Sequence, residues 1–382
     1  MSDLVLPQKF GPYVLFDKIG QGGMAELFLG RNASGKVLVV KLILPTYAER
    51  SDFAKMLVDE AKLAAALSHA NIVQIVDLGR EQERLFIAME YVEGFDLAAL
   101  LKRCSKDKVA LPTELALHAV SELLGALEYA HKKGVVHRDV SPSNVLVSFD
   151  GEVKLCDFGI ARANATVTDQ PTEAIQGKAG YMSPEQARGE VLDGRADIFA
   201  AGIILWELLA GRKLYRGGDL IEQARAANVP ELPPRGLPDE AKLHGIVSRA
   251  LAPRREDRWA TAGEMRGDLL AWTAAAKLGA NPIKLGDWLQ EHFGEDLIAQ
   301  RRARESAAKS LDPSPKPARA LLTPEPPRIS YKDDPAPESL APVDVSPPSK
   351  QLAAPKQKSP PWVVIVTGLI IVGLLAWLVS RH

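Results

Sequence analysis

Val135-Val136-His137-Arg138-Asp139-Val140-Ser141-Pro142-Ser143-Asn144-Val145-Leu146-Val147, followed after Asp150-Gly151 by Val153-Lys154-Leu155-Cys156-Asp157-Phe158-Gly159, is the stretch that decides the fold. Its two short apolar runs around an Asp-Gly turn predict a β-hairpin. An antiparallel hairpin brings Asn144, just before the first strand, beside Asp157, just after the second. Two oxygen ligands at one end of a hairpin suit Mg²⁺, which takes few protein ligands and keeps phosphate and water oxygens around it. Asp139 lies one short loop away, where it can accept a proton or orient a hydroxyl.

Working outward toward the N-terminus, Lys41 stands alone as a cation in the apolar run Val37-Leu38-Val39-Val40-Lys41-Leu42-Ile43-Leu44. Desolvating an ammonium is costly unless it is paired. Phe53, Leu57, Ala64 and Leu67 trace the apolar stripe of a helix, and Glu60 falls on that stripe. A buried-side Lys and a buried-side Glu, each without a local partner, are expected to pair. A purely structural ion pair explains those two residues equally well. Earlier still, Ile19-Gly20-Gln21-Gly22-Gly23-Met24-Ala25-Glu26-Leu27 sits between apolar strand residues. Glycines in such a turn let backbone N–H groups approach phosphate oxygens, although a structural hairpin fits the same letters.

Taken in order, the Gly-rich loop, the strand Lys, His-Arg-Asp with Asn five residues after the Asp, and Asp-Phe-Gly resemble the eukaryotic-type (Hanks-type) protein kinase family. Ser183-Pro184-Glu185 stands where that family has Ala-Pro-Glu, and Asp197, Gly202 and Arg258 match its later landmarks. The wording Gly-Gly-Met-Ala-Glu and Ser-Pro-Glu-Gln-Ala looks most like the bacterial transmembrane serine/threonine branch. The resemblance covers about residues 10–275 and implies an α+β, two-lobed fold with a small β-rich lobe before a larger helical one. Early apolar runs broken by Gly and Asn, followed by segments of helical period at 114–131, 198–209 and 264–278, agree with that order.

The resemblance also implies roles. Lys41 holds the α- and β-phosphates of ATP, and Glu60 positions it. Asp139 orients the substrate hydroxyl, while Asn144 and Asp157 bind Mg²⁺. Ile19, Gly20, Gly22, Gly23, Leu27 and Val39 enclose the nucleotide. Glu90 to Val92 form the hinge that bonds adenine, with Met89 as gatekeeper and Leu146 beneath the ring. Glu185 pairs with Arg258, and Asp197 braces the catalytic loop. The expected reaction is transfer of the γ-phosphate to Ser/Thr hydroxyls of proteins. Arg138 before Asp139 marks kinases switched by a phosphate in the activation segment, with Thr172, then Thr168 and Thr166, as candidates. Autophosphorylation there leaves a homodimer open as a passing state.

Two departures stand out. Ala25 replaces the third loop glycine, a minor change. Ser141 stands where serine/threonine kinases usually carry a Lys, and Lys178 stands where a Thr is expected. The hydroxyl and the ammonium have changed places, so Lys178 is expected to supply catalytic charge from the opposite wall; a merely solvated Lys178 is the alternative. A pseudokinase scaffold finds its only support in Ser141. A small-molecule kinase is disfavoured by the activation segment from Asp157 to Glu185.

The rest of the chain bounds the setting. A net charge of −1 gives no reason to expect nucleic acid as a partner. Two cysteines in 382 residues make neither a disulfide framework nor a zinc site. Residues 276–312 are expected to be a helical appendage with Trp288, Leu289, Phe293 and Leu297 on one side. Residues 313–361 hold 14 of the 27 prolines and read as a disordered linker. Residues 362–379, WVVIVTGLIIVGLLAWLV, carry no charge and as a helix reach roughly 27 Å. Lys350, Lys356 and Lys358 precede this run and Arg381 follows it in the tail 380–382, which predicts a single-pass, tail-anchored protein of the plasma (inner) membrane with its kinase domain in the cytoplasm.

Overall fold

A computed structural model of the chain describes residues 5–48, 51–81, 83–158 and 179–309. Gly159, Thr166, Thr168, Thr172, Lys178, the linker and the 362–379 run lie outside the described residues. Among the described residues no helix is long and apolar enough to cross a membrane.

Alternating apolar residues build the first lobe. Strands β1 (Gln8–Phe10), β2 (Tyr13–Gln21), β3 (Ala25–Asn32), β4 (Val37–Ile43), β5 (Ile75–Glu81) and β6 (Arg84–Glu90) form one sheet in the order β1-β2-β3-β4-β6-β5, with every pairing antiparallel. Period-two alternation sends Leu38, Val40 and Leu42 of β4 to one face, where they join Phe10, Leu15, Phe28 and Phe86 in a closed core. Lys41 therefore points to the other face, beside Val39. A short α1 (Pro45–Ala48) leads to α2 (Ser51–Ala65). Helix α2 covers that second face with Leu57, Ala61 and Ala64.

Residues 91–93 connect this lobe to β7 (Gly94–Asp96), which pairs with the predicted hairpin, β8 (Val145–Ser148) and β9 (Val153–Leu155). Gly94 is obligatory here: a Cβ would lie 2.0 Å from the Val147 carbonyl oxygen. The remaining elements are α3 (Leu97–Asp107), α4 (Thr113–Lys132), α5 (Pro184–Ala187), α6 (Gly194–Ala210), α7 (Leu220–Ala226), α8 (Glu240–Ala250), α9 (Ala262–Ala275) and α10 (Pro282–Lys309). Helix α6 is buried on nearly every side, as its all-round apolar sequence requires, and is the axis of the helical lobe. Asp193 caps its start by accepting from Arg195 N–H, and Gly211 at φ 66° ends it.

The segment after α9 extends beyond the two-lobed plan. Helix α10 bends at Phe293 (φ −133°, ψ 17°). Of the stripe expected from the sequence it buries Leu289, Phe293 and Leu297 and leaves Trp288 half-buried, while Leu285, outside that stripe, is buried as well. Its N-terminal turn sits so close to the β8–β9 turn that a Cβ at Gly151 would lie 1.8 Å from the Pro282 carbonyl oxygen.

Candidate active site

Three elements of the helical lobe hold the catalytic loop. Asp197, on the first turn of α6 and 1% exposed, accepts from the backbone N–H groups of His137 and Arg138, each at 2.8 Å, and meets His131 Nε2 at 2.8 Å. Gln186 of α5 donates to the Arg138 carbonyl at 2.8 Å. His137 is fully buried; its Nδ1 accepts from Asp139 N–H at 3.2 Å, so the neutral ring carries its proton on Nε2 and donates to the Cys156 carbonyl at 3.0 Å. That one ring thus links the loop before β8 to the end of β9.

Asn144 and Asp139 form one unit. Asn144 Nδ2 donates to the Asp139 carbonyl at 2.7 Å and to its carboxylate at 3.0 Å, which turns the amide oxygen away from Asp139. Cys156 N–H donates to the Asn144 carbonyl at 2.9 Å and fixes Asp157 next door. Asp157 adopts φ 56°, a left-handed conformation that costs a non-glycine residue energy and occurs where function demands a set direction. Its carboxylate meets Lys41 Nζ at 2.8 Å. Burial pulls the Lys41 pKa down, but the charge and hydrogen bond of Asp157, helped by Cys156 and Asp139, carry it above the ordinary lysine value. Lys41 is thus held as a cation. Asn144 and Asp157 are hard oxygen donors at one hairpin end, the chemistry that Mg²⁺ accepts.

Lys41 and Glu60 do not meet as the sequence suggests. Glu60 lies 3.5 Å from Arg138 Nη1, and Lys41 takes Asp157 instead. Both Arg138 (φ 63°) and Asp157 (φ 56°), the partners that Glu60 and Lys41 take, are in left-handed backbone. Burial raises the Glu60 pKa more than Arg138 lowers it.

The Gly-rich turn joins β2 to β3, with Gly20 paired to Leu27, and Ile19 is 44% exposed. The fold itself asks for no glycine there. A Cβ at Gly23 would meet no protein atom within 4 Å, and one at Gly22 only the Ala25 carbonyl at 3.7 Å. Gly20 would touch only the Leu27 side chain, and none of the three has positive φ. Glycines kept where the protein leaves room suit a close-lying ligand. Behind the turn, Val39, Met89, Val92 and Leu146 gather in one apolar cluster, joined by Cys156, which the sequence reading passed over. Its position directly before Asp157 was the available signal. The Glu90 carboxylate faces away, to Gln74 N–H at 2.8 Å and Lys154 at 3.1 Å. Any contact of Glu90 with a base is left to its backbone. Val92 has no hydrogen-bond partner for its backbone N–H or carbonyl among the described residues.

Glu185 and Arg258 form a two-bond pair at 2.7 and 2.8 Å, both nearly inaccessible, with Arg258 stacked on Phe199 at 4.7 Å. Ser141 is buried against Ser143 at 3.1 Å.

Comparison with known proteins decides what this arrangement is. The family model described as protein kinase domain matches residues 13–262. The chain belongs to the protein kinase family. Among bacterial relatives, this kinase is 38% identical over 311 residues to the tyrosine-protein kinase MasK of Myxococcus xanthus, covering 78% of this chain and 48% of MasK. It is 36% identical to the serine/threonine-protein kinase PknB of Mycobacterium leprae, covering 68% of this chain and 42% of PknB. It is 35% identical to PrkC of Bacillus subtilis, covering 68% and 40%. The kinase therefore spans less than half the length of these curated relatives. The crystal structure of the Mycobacterium tuberculosis PknI kinase domain matches at 30% identity with a TM-score of 0.57, covering 71% of this chain and all of that domain.

Proposed function

We propose that this kinase transfers the γ-phosphate of ATP to protein Ser/Thr hydroxyls with Mg²⁺ as its metal. The observation that carries the reading is the convergence of Lys41, Asp157, Asn144 and Asp139 beside glycines that the fold does not require. Lys41 holds the α- and β-phosphates. Asn144 fixes the Asp139 carboxylate so that it receives the acceptor hydroxyl and its proton as the oxygen attacks. Asn144 and Asp157 would hold Mg²⁺, which when bound neutralises charge on the phosphates. Rate enhancement comes from positioning and preset charge, since phosphoryl transfer asks for little covalent help. Asp139→Asn and Asp157→Asn should each abolish autophosphorylation with labelled ATP while the protein keeps its melting temperature. Turnover retained in either variant refutes the assignment.

A tyrosine acceptor is the second reading. The relative MasK is named a tyrosine-protein kinase, and Ser141 departs from the usual serine/threonine pattern at that position. Phosphoamino-acid analysis of the autophosphorylated protein separates the two.

Two further parts of the reading concern segments outside the described residues. The activation segment takes its own phosphate on Thr172, with Thr168 and Thr166 as lesser sites, during a passing encounter of two copies. The 362–379 run anchors the chain in the plasma membrane, with the kinase domain on the cytoplasmic side and the 313–361 linker as tether. Deleting 362–379 should release the protein from membranes with unchanged specific activity; a shortened protein that still sediments with membranes removes the anchor.

A further inference from the structure

The far half of α10 lies directly behind the hinge. Arg301 donates to the Glu93 carboxylate at 3.1 and 2.8 Å, and Arg304 donates to its other oxygen at 2.6 Å. The Arg304 guanidinium also covers the Tyr91 ring, 5.1 Å from its centre. Burial pushes the Glu93 carboxyl up, yet Arg301 and Arg304 together hold it below the usual carboxylate range. Tyr91 and Glu93 are the two neighbours of Val92, so one helix grips both sides of the residue whose backbone polar groups stand unpaired among the described residues. Residues 91–93 belong to no strand, and the one backbone bond fixing them is Phe149 N–H to the Glu93 carbonyl at 2.9 Å, among the described residues. Hydrogen bonds to a flat base weaken steeply with misdirection, so whatever fixes this short segment tunes the grip on the base.

We propose that Arg304, acting through Glu93 and Tyr91, is a positioning residue for the nucleotide, and that α10 is thereby a working part of the ATP site. This rests on the ATP reading above. Other contacts of the same helix serve as an internal control. Asp296 lies 3.2 Å from Arg103 of α3, a charge pair between α10 and the helical lobe that does not touch the hinge.

The test uses the full chain, titrated with ATP and Mg²⁺ by calorimetry, alongside KM for ATP, kcat and melting temperature. Arg304→Ala should weaken ATP binding by about fivefold, the size of one partly exposed charge pair. KM for ATP should rise with it and kcat should stay within about twofold. Arg304→Lys should recover part of the loss. Glu93→Gln combined with Arg304→Ala should be no worse than the poorer single variant, because the two share one interaction. Asp296→Asn should lower the melting temperature and leave ATP affinity alone. Unchanged ATP affinity in Arg304→Ala overturns the proposal, and so does an equal loss in Asp296→Asn, which would make α10 mere support. A wild-type chain that fails to bind ATP overturns the kinase reading itself, and the inference with it.

Discussion

Glu60 faces Arg138 at 3.5 Å, while Lys41, the residue it was expected to hold, is 2.8 Å from Asp157. Cation and anion have each found a partner, but the pairing differs from the one that the proposed phosphoryl transfer calls for. Arg138 immediately precedes the proposed base Asp139, so Glu60 is tied to the catalytic loop rather than to the phosphate-binding Lys41.

The charge on Glu60 is costly where it stands, and the cost has a sign in pH. Burial raises its folded pKa above the unfolded value. Its ionisation therefore penalises folding increasingly as pH rises from the unfolded pKa of about 4.3, below which the penalty is absent, and in full above the raised folded value. Glu60→Gln should melt at or above wild type at pH 7, with the gap closing as pH falls toward about 4. Phosphotransfer should nevertheless be lost, since a Gln cannot anchor Lys41. A Glu60→Gln protein that melts lower than wild type at pH 7 counts against this account of the site.

A phosphate offers Arg138 a stronger partner than Glu60, being doubly charged and rich in acceptor oxygens. Phosphorylation of Thr172 should draw Arg138 away and free Glu60 to meet Lys41. Thr172→Ala should therefore lower activity by about tenfold or more, a loss of at least 1.4 kcal/mol in barrier terms, with Thr168→Ala and Thr166→Ala milder. Rates for the three variants after incubation with ATP provide the check; full activity in Thr172→Ala would place the switch elsewhere.

Ser141 cannot supply the cation that a Lys at that position would bring to the γ-phosphate. If Lys178 supplies it instead, Lys178→Ala should cut kcat by about 10²–10³. Ser141→Lys with Lys178→Thr should then recover much of it. A solvated Lys178 makes the opposite forecast: the single change is nearly silent, and Ser141→Lys alone raises kcat. Steady-state rates on one protein substrate distinguish them.

The Glu185–Arg258 pair should matter for folding rather than chemistry. Removing one member of a buried pair leaves the other charged and unpartnered, typically at about 3–5 kcal/mol. Glu185→Ala should lower the midpoint of urea unfolding accordingly. Burial alone would raise the Glu185 pKa, but Arg258 brings it below the ordinary value. Its stabilisation is thus present above the unfolded carboxylate pKa and is lost as pH falls through the depressed one. Wild type should lose its advantage over Glu185→Gln in that acid range.

The hairpin β8–β9 and the stripe on α10 were legible because each is a local pattern: apolar runs around Asp-Gly in one case, helical spacing in the other. The buried pair of Glu185 with Arg258 and the bracing by Asp197 were legible only through the family resemblance, being separated by 73 and about 60 positions. The partner of Lys41 was not legible. Two carboxylates, Glu60 and Asp157, compete for it, and nothing in the residue types says which of them it takes. The seat of α10 was equally hidden, because Glu93 and Arg304 are 211 positions apart and each alone reads as an ordinary surface charge.

The contact between Gly151 and Pro282 sets a lower limit on how much chain makes a self-sufficient folding unit. A protein cut after Ala275 would keep every catalytic group and the whole family match, yet it would strip Phe293 from Phe95, its ring neighbour at 5.8 Å. Phe149, now shielded beside Phe95 at 5.3 Å, would lose its lid as well. Aromatic surface uncovered in that way seeks another surface, so the shortened molecule should self-associate in solution more strongly than the longer one.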